Sequence, residues 1–246
     1  MELSVAIDQG NSSAKISVFA GEEKVASKRF EQLTLQNLEE FLANHVGVTR
    51  AIYSSVVGDD QTIVDYLGNR YGKCYVLNHK LPMPLEIGYA SPATLGHDRI
   101  AAAVGAVHLY GEQNLLVVDL GTAITYDFVE GGKKYVGGNI APGLKLRFGG
   151  LADYCVALPK VGTDGDVPIL GYDTPTAIRS GVVMGVVSEI SHMAALLEKR
   201  YGKVKVVLTG GDSNYICGKL QDLNVEICDD LVTIGLNRIL QYNEQL

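Results

Sequence analysis

The sequence predicts an α/β protein built from two like-folded halves, and three observations carry that reading. A strand, glycine turn, strand unit occurs twice; strand-like runs alternate with helical periodicities in both halves; and nothing in the composition marks a disordered segment. With 47% hydrophobic and 20% charged residues and only 7 prolines in 246, the chain has enough apolar side chains to bury a full core throughout.

The first copy of the repeat is Ser4-Val-Ala-Ile-Asp8-Gln-Gly10-Asn-Ser-Ser-Ala-Lys15-Ile-Ser-Val-Phe19, followed by a hairpin signal at Ala20-Gly21-Glu22-Glu23. The second is Leu115-Leu-Val-Val-Asp119-Leu-Gly121-Thr-Ala-Ile-Thr-Tyr-Asp-Phe-Val129, followed by Glu130-Gly131-Gly132-Lys133. In each, an apolar β-branched run delivers an Asp to the strand end, and a glycine then permits a tight turn. Between the copies, helices are expected over Leu35–His45 and Asp60–Tyr71 and a strand over Ala51–Val57. Later come a small-residue helix, Ile100–Tyr110, a helix from about Thr176 to Tyr201, a strand at Val204–Leu208 and a helix after Gly211. Such alternation places both halves in the α/β class. The repeat alone sets the expected domains, 1–113 and 114–246.

Charge and cysteines exclude several functions. A net charge of −7 with no Lys/Arg cluster argues against binding the nucleic-acid backbone. No basic stretch opens the chain and no run is apolar for about 18 residues, so a soluble cytoplasmic protein with no membrane partner is expected. Cysteines 74, 155, 217 and 228 lack zinc or redox spacing and read as reduced thiols.

The turn Asp8-Gln9-Gly10-Asn11-Ser12-Ser13-Ala14-Lys15 suits a nucleotide tail. Backbone amides and hydroxyls donate to phosphate oxygens, Lys15 supplies positive charge, and Asp8 holds Mg²⁺ directly or through water. An ordinary hairpin with a surface lysine would read the same, but the second turn, Asp119-Leu-Gly121-Thr122-Ala123, lets a duplicated pair grip phosphates from both sides of a cleft. Neither a P-loop nor a protein-kinase signature is present. Thr209-Gly210-Gly211-Asp212-Ser213 reads either as an adenine-side contact at the paired glycines or as a turn whose Asp212 or Ser213 caps a helix. In Gly96-His97-Asp98-Arg99, Asp98 is either a helix cap or a general base beside an anion-binding arginine, and His97 reads as packing or surface polarity. The small residues Ala102, Gly105 and Ala106 signal close helix packing, within the chain or against another subunit.

Taken together, these motifs make the sequence resemble the type III pantothenate kinases from end to end. Asp8-Gln-Gly-Asn-Ser resembles their first phosphate motif, Gly96-His-Asp-Arg their catalytic motif and Asp119-Leu-Gly-Thr-Ala their second phosphate motif. Further matches are Asn139-Ile-Ala-Pro-Gly143-Leu, Ala157-Leu-Pro159, Thr174-Pro-Thr-Ala177-Ile-Arg-Ser-Gly181 and Thr209-Gly-Gly211; Ser12 replaces the Thr of many relatives but keeps the hydroxyl.

The resemblance implies two duplicated actin-like (ribonuclease H-like) domains with a nucleotide cleft between them, and ATP-dependent phosphorylation of pantothenate on the way to coenzyme A. It implies Asp98 as the base, Asp8 to Lys15 and Thr122 on ATP, and Tyr89, Gly96 to Arg99 and Thr174 on pantothenate. Asp119 would help hold K⁺ or NH₄⁺ alongside the Mg²⁺ of the nucleotide. It also implies a homodimer with its active site near the subunit interface, for which the helix Ile100–Tyr110 is the expected contact. Two rival readings are a nucleotide-binding transcriptional accessory factor of the same family without significant turnover, and an actin-like or chaperone-like ATPase.

Overall fold

The protein is described here by a computed structural model covering residues 2–220 and 223–246. It groups into two compact units. The first holds the chain up to Glu112 together with Gly132–Val136 and Asp230–Leu246; the second holds Gln113–Gly131 and Gly137–Asp229.

The first unit opens with the antiparallel strands β1 (Leu3–Gln9), β2 (Ala14–Ala20) and β3 (Glu23–Phe30). The turn between β2 and β3 uses Gly21 at φ 65°, a conformation with no cost for glycine. Helix α1 (Leu35–Ala43) is capped by Thr34, whose Oγ1 accepts from the Asn37 amide at 3.2 Å. Strand β4 (Val48–Ser55) returns parallel to β1. Asp60, expected inside the next helix, is instead its cap: Oδ1 accepts from Thr62 and Ile63, and α2 (Gln61–Tyr71) ends on Gly72 at φ 76°. β5 (Cys74–Val76) lies parallel to β4, giving the order β3-β2-β1-β4-β5. Burial pushes the Cys74 thiol up to about 12, which keeps it protonated and unreactive. The short β6 (Glu86–Ile87) and a 3₁₀ turn at Pro92–Thr94 lead into α3 (His97–Tyr110).

The second unit is built on β7 (Asn114–Leu120) and β8 (Ala123–Glu130), antiparallel to each other. A Gly131-Gly132 turn, with φ of 58° and 67°, leads to β9 (Lys134–Pro142), whose first residues belong to the first unit and pair there with β6. Then come α4 (Leu144–Tyr154), α5 (Thr174–Tyr201), β10 (Val204–Thr209), α6 (Ser213–Cys217) and β11 (Val225–Ile227). β10 runs parallel to both β7 and β11. By length and composition α5 is apolar enough to cross a membrane, which corrects the expectation that no segment is. It packs on β7 and β10 and buries Val183, Val186 and Ile190, the behaviour of a core helix.

The last helix, α7 (Leu231–Glu244), closes the first unit. One face of the first sheet packs Val5, Ile7, Ile16 and Tyr53 with Leu38, Leu42, Ile63 and Leu67 of α1 and α2. On the other face Ser4 donates to Asn237 Oδ1 at 2.7 Å and Ser17 to Thr233 Oγ1 at 3.1 Å, both on α7. On α3 the small residues Ala101, Ala102, Ala103, Gly105 and Ala106 are buried, and of these Ala101 and Gly105 lie against α7. Of the two readings of this stripe, packing within the chain holds for Gly105, whose partner is α7, and Ala102 and Ala106 are likewise covered within the chain. The division at residue 113 rests on the repeat and stays a proposal about duplicated halves, since compactness assigns α7 to the first unit.

Candidate active site

The turn between β1 and β2 is closed by Gly10, whose amide donates to the Ser13 carbonyl at 3.0 Å. Gly10 is favoured by close approach, not by a left-handed backbone, because a Cβ there would lie 3.2 Å from the same oxygen. Asn11 and Ser12 are exposed at the tip, Ser13 is half-buried, and Ala14 is buried on β2. The Gln9 side chain faces the core, where its Oε1 accepts from Tyr53 Oη at 2.7 Å, and the Tyr53 oxygen in turn accepts from the Asp60 amide at 3.2 Å. Gln9 therefore braces the turn from below. Burial raises the Tyr53 phenol above its usual value and keeps it a donor.

Lys15 stands opposite Asp8 in the β1/β2 register, and its ammonium lies 2.6 Å from Asp230 Oδ1 at the start of α7. Lys24 pairs with the other oxygen of that carboxylate. Although Asp230 occupies the cap position of α7, its side chain makes no capping bond, because both lysines claim it. Burial pushes its carboxyl up, but the hydrogen bonds and charges of Lys15 and Lys24 outweigh this and hold it below the usual range. The sequence offers no local signal for this pairing. Arg29, in register with Lys15 on β3, donates to Ser13 Oγ at 3.3 Å.

The second cluster of the first unit forms at the head of α3. Gly96 is the cap residue, His97 the first helical residue, and Asp98 sits in the first turn, where its Oδ1 accepts from the Arg99 amide at 2.8 Å. Asp98 is thus not the cap that one reading allowed. His97 Nδ1 lies 3.2 Å from the Ser55 carbonyl, which ties the motif to the end of β4. Arg99 is buried at 5% exposure, and its guanidinium lies 6.0 Å from the centre of the Tyr89 ring, which packs edge-on against Tyr135. Tyr89, Gly96, His97, Asp98 and Arg99 are therefore brought together by the fold.

In the second unit, three separate stretches meet at the turn from Asp119 to Ala123. Gly143 donates to the Thr122 carbonyl and Asp212 to the Leu120 carbonyl, both at 3.0 Å. Gly210, at φ 89°, lies so close to Asp119 and Leu120 that a Cβ would overlap them, while Gly211 faces open space. Of the paired glycines, Gly210 is thus explained by packing, and Gly211 is open on the side where a Cβ would lie. The Asp212 side chain makes no capping bond, and burial raises its carboxyl. Thr174 begins α5, exposed, after a capping box in which Asp173 accepts from the Thr176 amide at 2.9 Å. It borders an open groove of about 530 Å³ lined by Leu151, Leu158, Tyr172 and Ala177. Nearby, Arg147 forks both oxygens of Glu189 at 2.6 and 2.7 Å, and Tyr126 donates to that carboxylate at 3.2 Å.

The residues fit the cations that a nucleotide site needs. Asp8 lies beside a buried serine hydroxyl in the next strand, and the Asp119 carboxylate adjoins Gly121 and Gly210, where any Cβ would take up space. Oxygen-only donors of this type suit hard cations such as Mg²⁺ and K⁺.

The fold is of the actin-like class. A Listeria monocytogenes chain described as an N-acetylmannosamine kinase superposes with a TM-score of 0.61 at 14% identity, covering 98% of this chain and 99% of that one. A Campylobacter jejuni chain described as a Baf family transcriptional activator gives 0.63 at 23% identity, covering 98% and 100%. At those identities the likeness is one of fold alone. Residues 4–196 match the family described as type III pantothenate kinase. The chain is 40% identical over 246 residues to the type III pantothenate kinase of Phocaeicola vulgatus, covering 99% of this chain and 100% of the relative. It is 38% identical to that of Porphyromonas gingivalis strain W83, again covering 99% and 100%. The chain belongs to the type III pantothenate kinases.

Proposed function

We propose that the chain transfers the terminal phosphoryl group of ATP to the primary hydroxyl of pantothenate, giving 4'-phosphopantothenate and ADP at the start of coenzyme A synthesis. The observation that carries this reading is Asp98 in the first turn of α3, beside the buried Arg99 and Tyr89. Positive potential at a helix N-terminus favours an ionised carboxylate, so Asp98 is ready to accept the hydroxyl proton. As that proton moves to Asp98, the substrate oxygen bonds to the terminal phosphorus and the bond to the bridging oxygen breaks, leaving ADP. Phosphoryl transfer asks mainly for positioning and charge stabilisation, which modest base strength suits.

In this reading Arg99 offers its planar fork to the pantothenate carboxylate, with Tyr89, Gly96, His97 and Thr174 as further contacts. Asp8 to Lys15, Thr122, Gly210 and Gly211 hold ATP. Asp8 holds Mg²⁺, directly or through water, and Asp119 holds K⁺ or NH₄⁺; the cations would neutralise phosphate charge. A cytoplasmic homodimer completes the reading. With α3 covered by α7, support for the dimer moves to Tyr154, Val156, Ile169, Leu170 and Tyr172, large apolar side chains exposed within one stretch of the second unit.

ADP release, followed in a coupled assay with and without pantothenate, tests the proposal. Release that depends on pantothenate is expected. Equal release in both would mean a plain ATPase, and nucleotide binding without release would mean a regulator.

A further inference from the structure

Neighbouring residues in register across a sheet point to the same face. Lys15 pairs with Asp8 across β1 and β2, and Asp8 with Ser54 across β1 and β4, so Lys15, Asp8 and Ser54 form one polar row beneath the first phosphate turn. Ser54 is 0% exposed, and its hydroxyl has no hydrogen-bond partner among the described residues. The serines around it are satisfied. Ser55 Oγ donates to the Gly58 carbonyl at 2.7 Å and accepts from the Val57 amide at 3.2 Å. Further along the same sheet face, Ser4 and Ser17 have Asn237 and Thr233.

A buried hydroxyl without a partner costs about 1–3 kcal/mol, and alanine at position 54 would avoid that cost. Where such a group persists in a native protein, an ordered water, ion or ligand is the usual reason. The row itself narrows the choice. A phosphate oxygen beside Ser54 would also lie beside the Asp8 carboxylate and be repelled by it, unless a cation stood between them. A water in a cation's shell reaches both groups, since it donates one hydrogen to the carboxylate and the other to the serine oxygen.

We infer that Ser54 is a positioning residue for the nucleotide's divalent cation: its hydroxyl binds a water of the hydrated Mg²⁺ that Asp8 holds. This rests on the kinase reading above. It also explains why β4 ends here, with Ser54 facing the cation and the Ser55 carbonyl holding His97, so that one strand end registers the cation with the head of α3.

The experiment is ATP binding by calorimetry on the full chain, once with Mg²⁺ and once with EDTA, for wild type, Ser54→Ala and Ser54→Cys, with melting temperatures recorded alongside. Ser54→Ala should melt at or above the wild-type temperature and bind ATP equally well in EDTA. The gain in affinity on adding Mg²⁺ should fall about fivefold, as for one lost hydrogen bond. Ser54→Cys, of similar size with a weaker acceptor, should fall between. An undiminished Mg²⁺ gain in both variants, or a lower melting temperature with that gain intact, overturns the inference and leaves the kinase reading standing. Wild-type protein whose ATP binding ignores Mg²⁺ overturns both.

Discussion

Gly105 of α3 and Gly235 of α7 meet backbone to backbone. A Cβ on Gly105 would run into the Leu231 carbonyl and lie 3.1 Å from the Gly235 nitrogen, and a Cβ on Gly235 would overlap the Ala101 carbonyl. Neither obstacle is a flexible side chain, so the helices would have to separate. Gly235→Ala should therefore destabilise the chain by about 3 kcal/mol, read as a lowered urea midpoint. Ala102→Glu should unfold the chain, not merely dissociate it, because the charge would be buried without a partner inside the first unit. Circular dichroism with light scattering checks this; a folded Ala102→Glu monomer would contradict the packing.

Asp98→Asn keeps the size and the first-turn position but removes the proton acceptor. Turnover should fall by about 10² or more while ATP affinity stays near wild type. Single-turnover kinetics with a separate nucleotide titration make the comparison, and near-normal turnover would remove Asp98 from its role.

The Asp230 carboxyl lies below its ordinary range in the folded protein, so the folded state binds its proton less readily than the unfolded chain does. Its contribution to stability is complete above the ordinary carboxylate range and is lost as pH falls through its folded value. Asp230→Asn should lower the urea midpoint at neutral pH by removing the carboxylate that Lys15 and Lys24 share. The wild-type and variant curves should converge towards acid. A constant gap from neutral to acid pH would show that the lysines are not the cause.

If Asp119 holds the monovalent cation, replacing K⁺ and NH₄⁺ with Na⁺ should raise the KM for ATP steeply in wild type and have little effect in Asp119→Asn. Gly210→Ala should disturb the same site, because φ is 89° there and the new methyl would press on Asp119. Equal rates in sodium and potassium buffers would count against the assignment.

For the dimer, Leu170→Asp places a charge in the exposed apolar stretch of the second unit, where Leu170 makes no core contribution. The expected variant is folded and monomeric by light scattering, with activity lost together with assembly. A fully active monomer would show that the site needs no second chain.

Much of this was legible in the sequence because its causes are local. The strands before Asp8 and Asp119 follow from β-branched runs, and the hairpin at Gly21 and the turn at Gly131-Gly132 follow from residues that tolerate positive φ. The head of α3 follows from Gly96-His-Asp-Arg preceding a run of alanines, although backbone geometry was needed to put Gly96 at the cap position and Asp98 inside the first turn.

By itself, the sequence determined the α/β class, the duplicated turns, the acid at the head of α3 and the family, since all are properties of short ordered segments. Only the tertiary structure decided the partners. α3 turns Ala101 and Gly105 to α7, Lys15 and Lys24 share Asp230, Arg147 takes Glu189, and Ser54 lies in register with Asp8. Each of these joins segments far apart in the chain. Strand register, helix approach distance and burial select such pairs, and residue type alone carries none of the three.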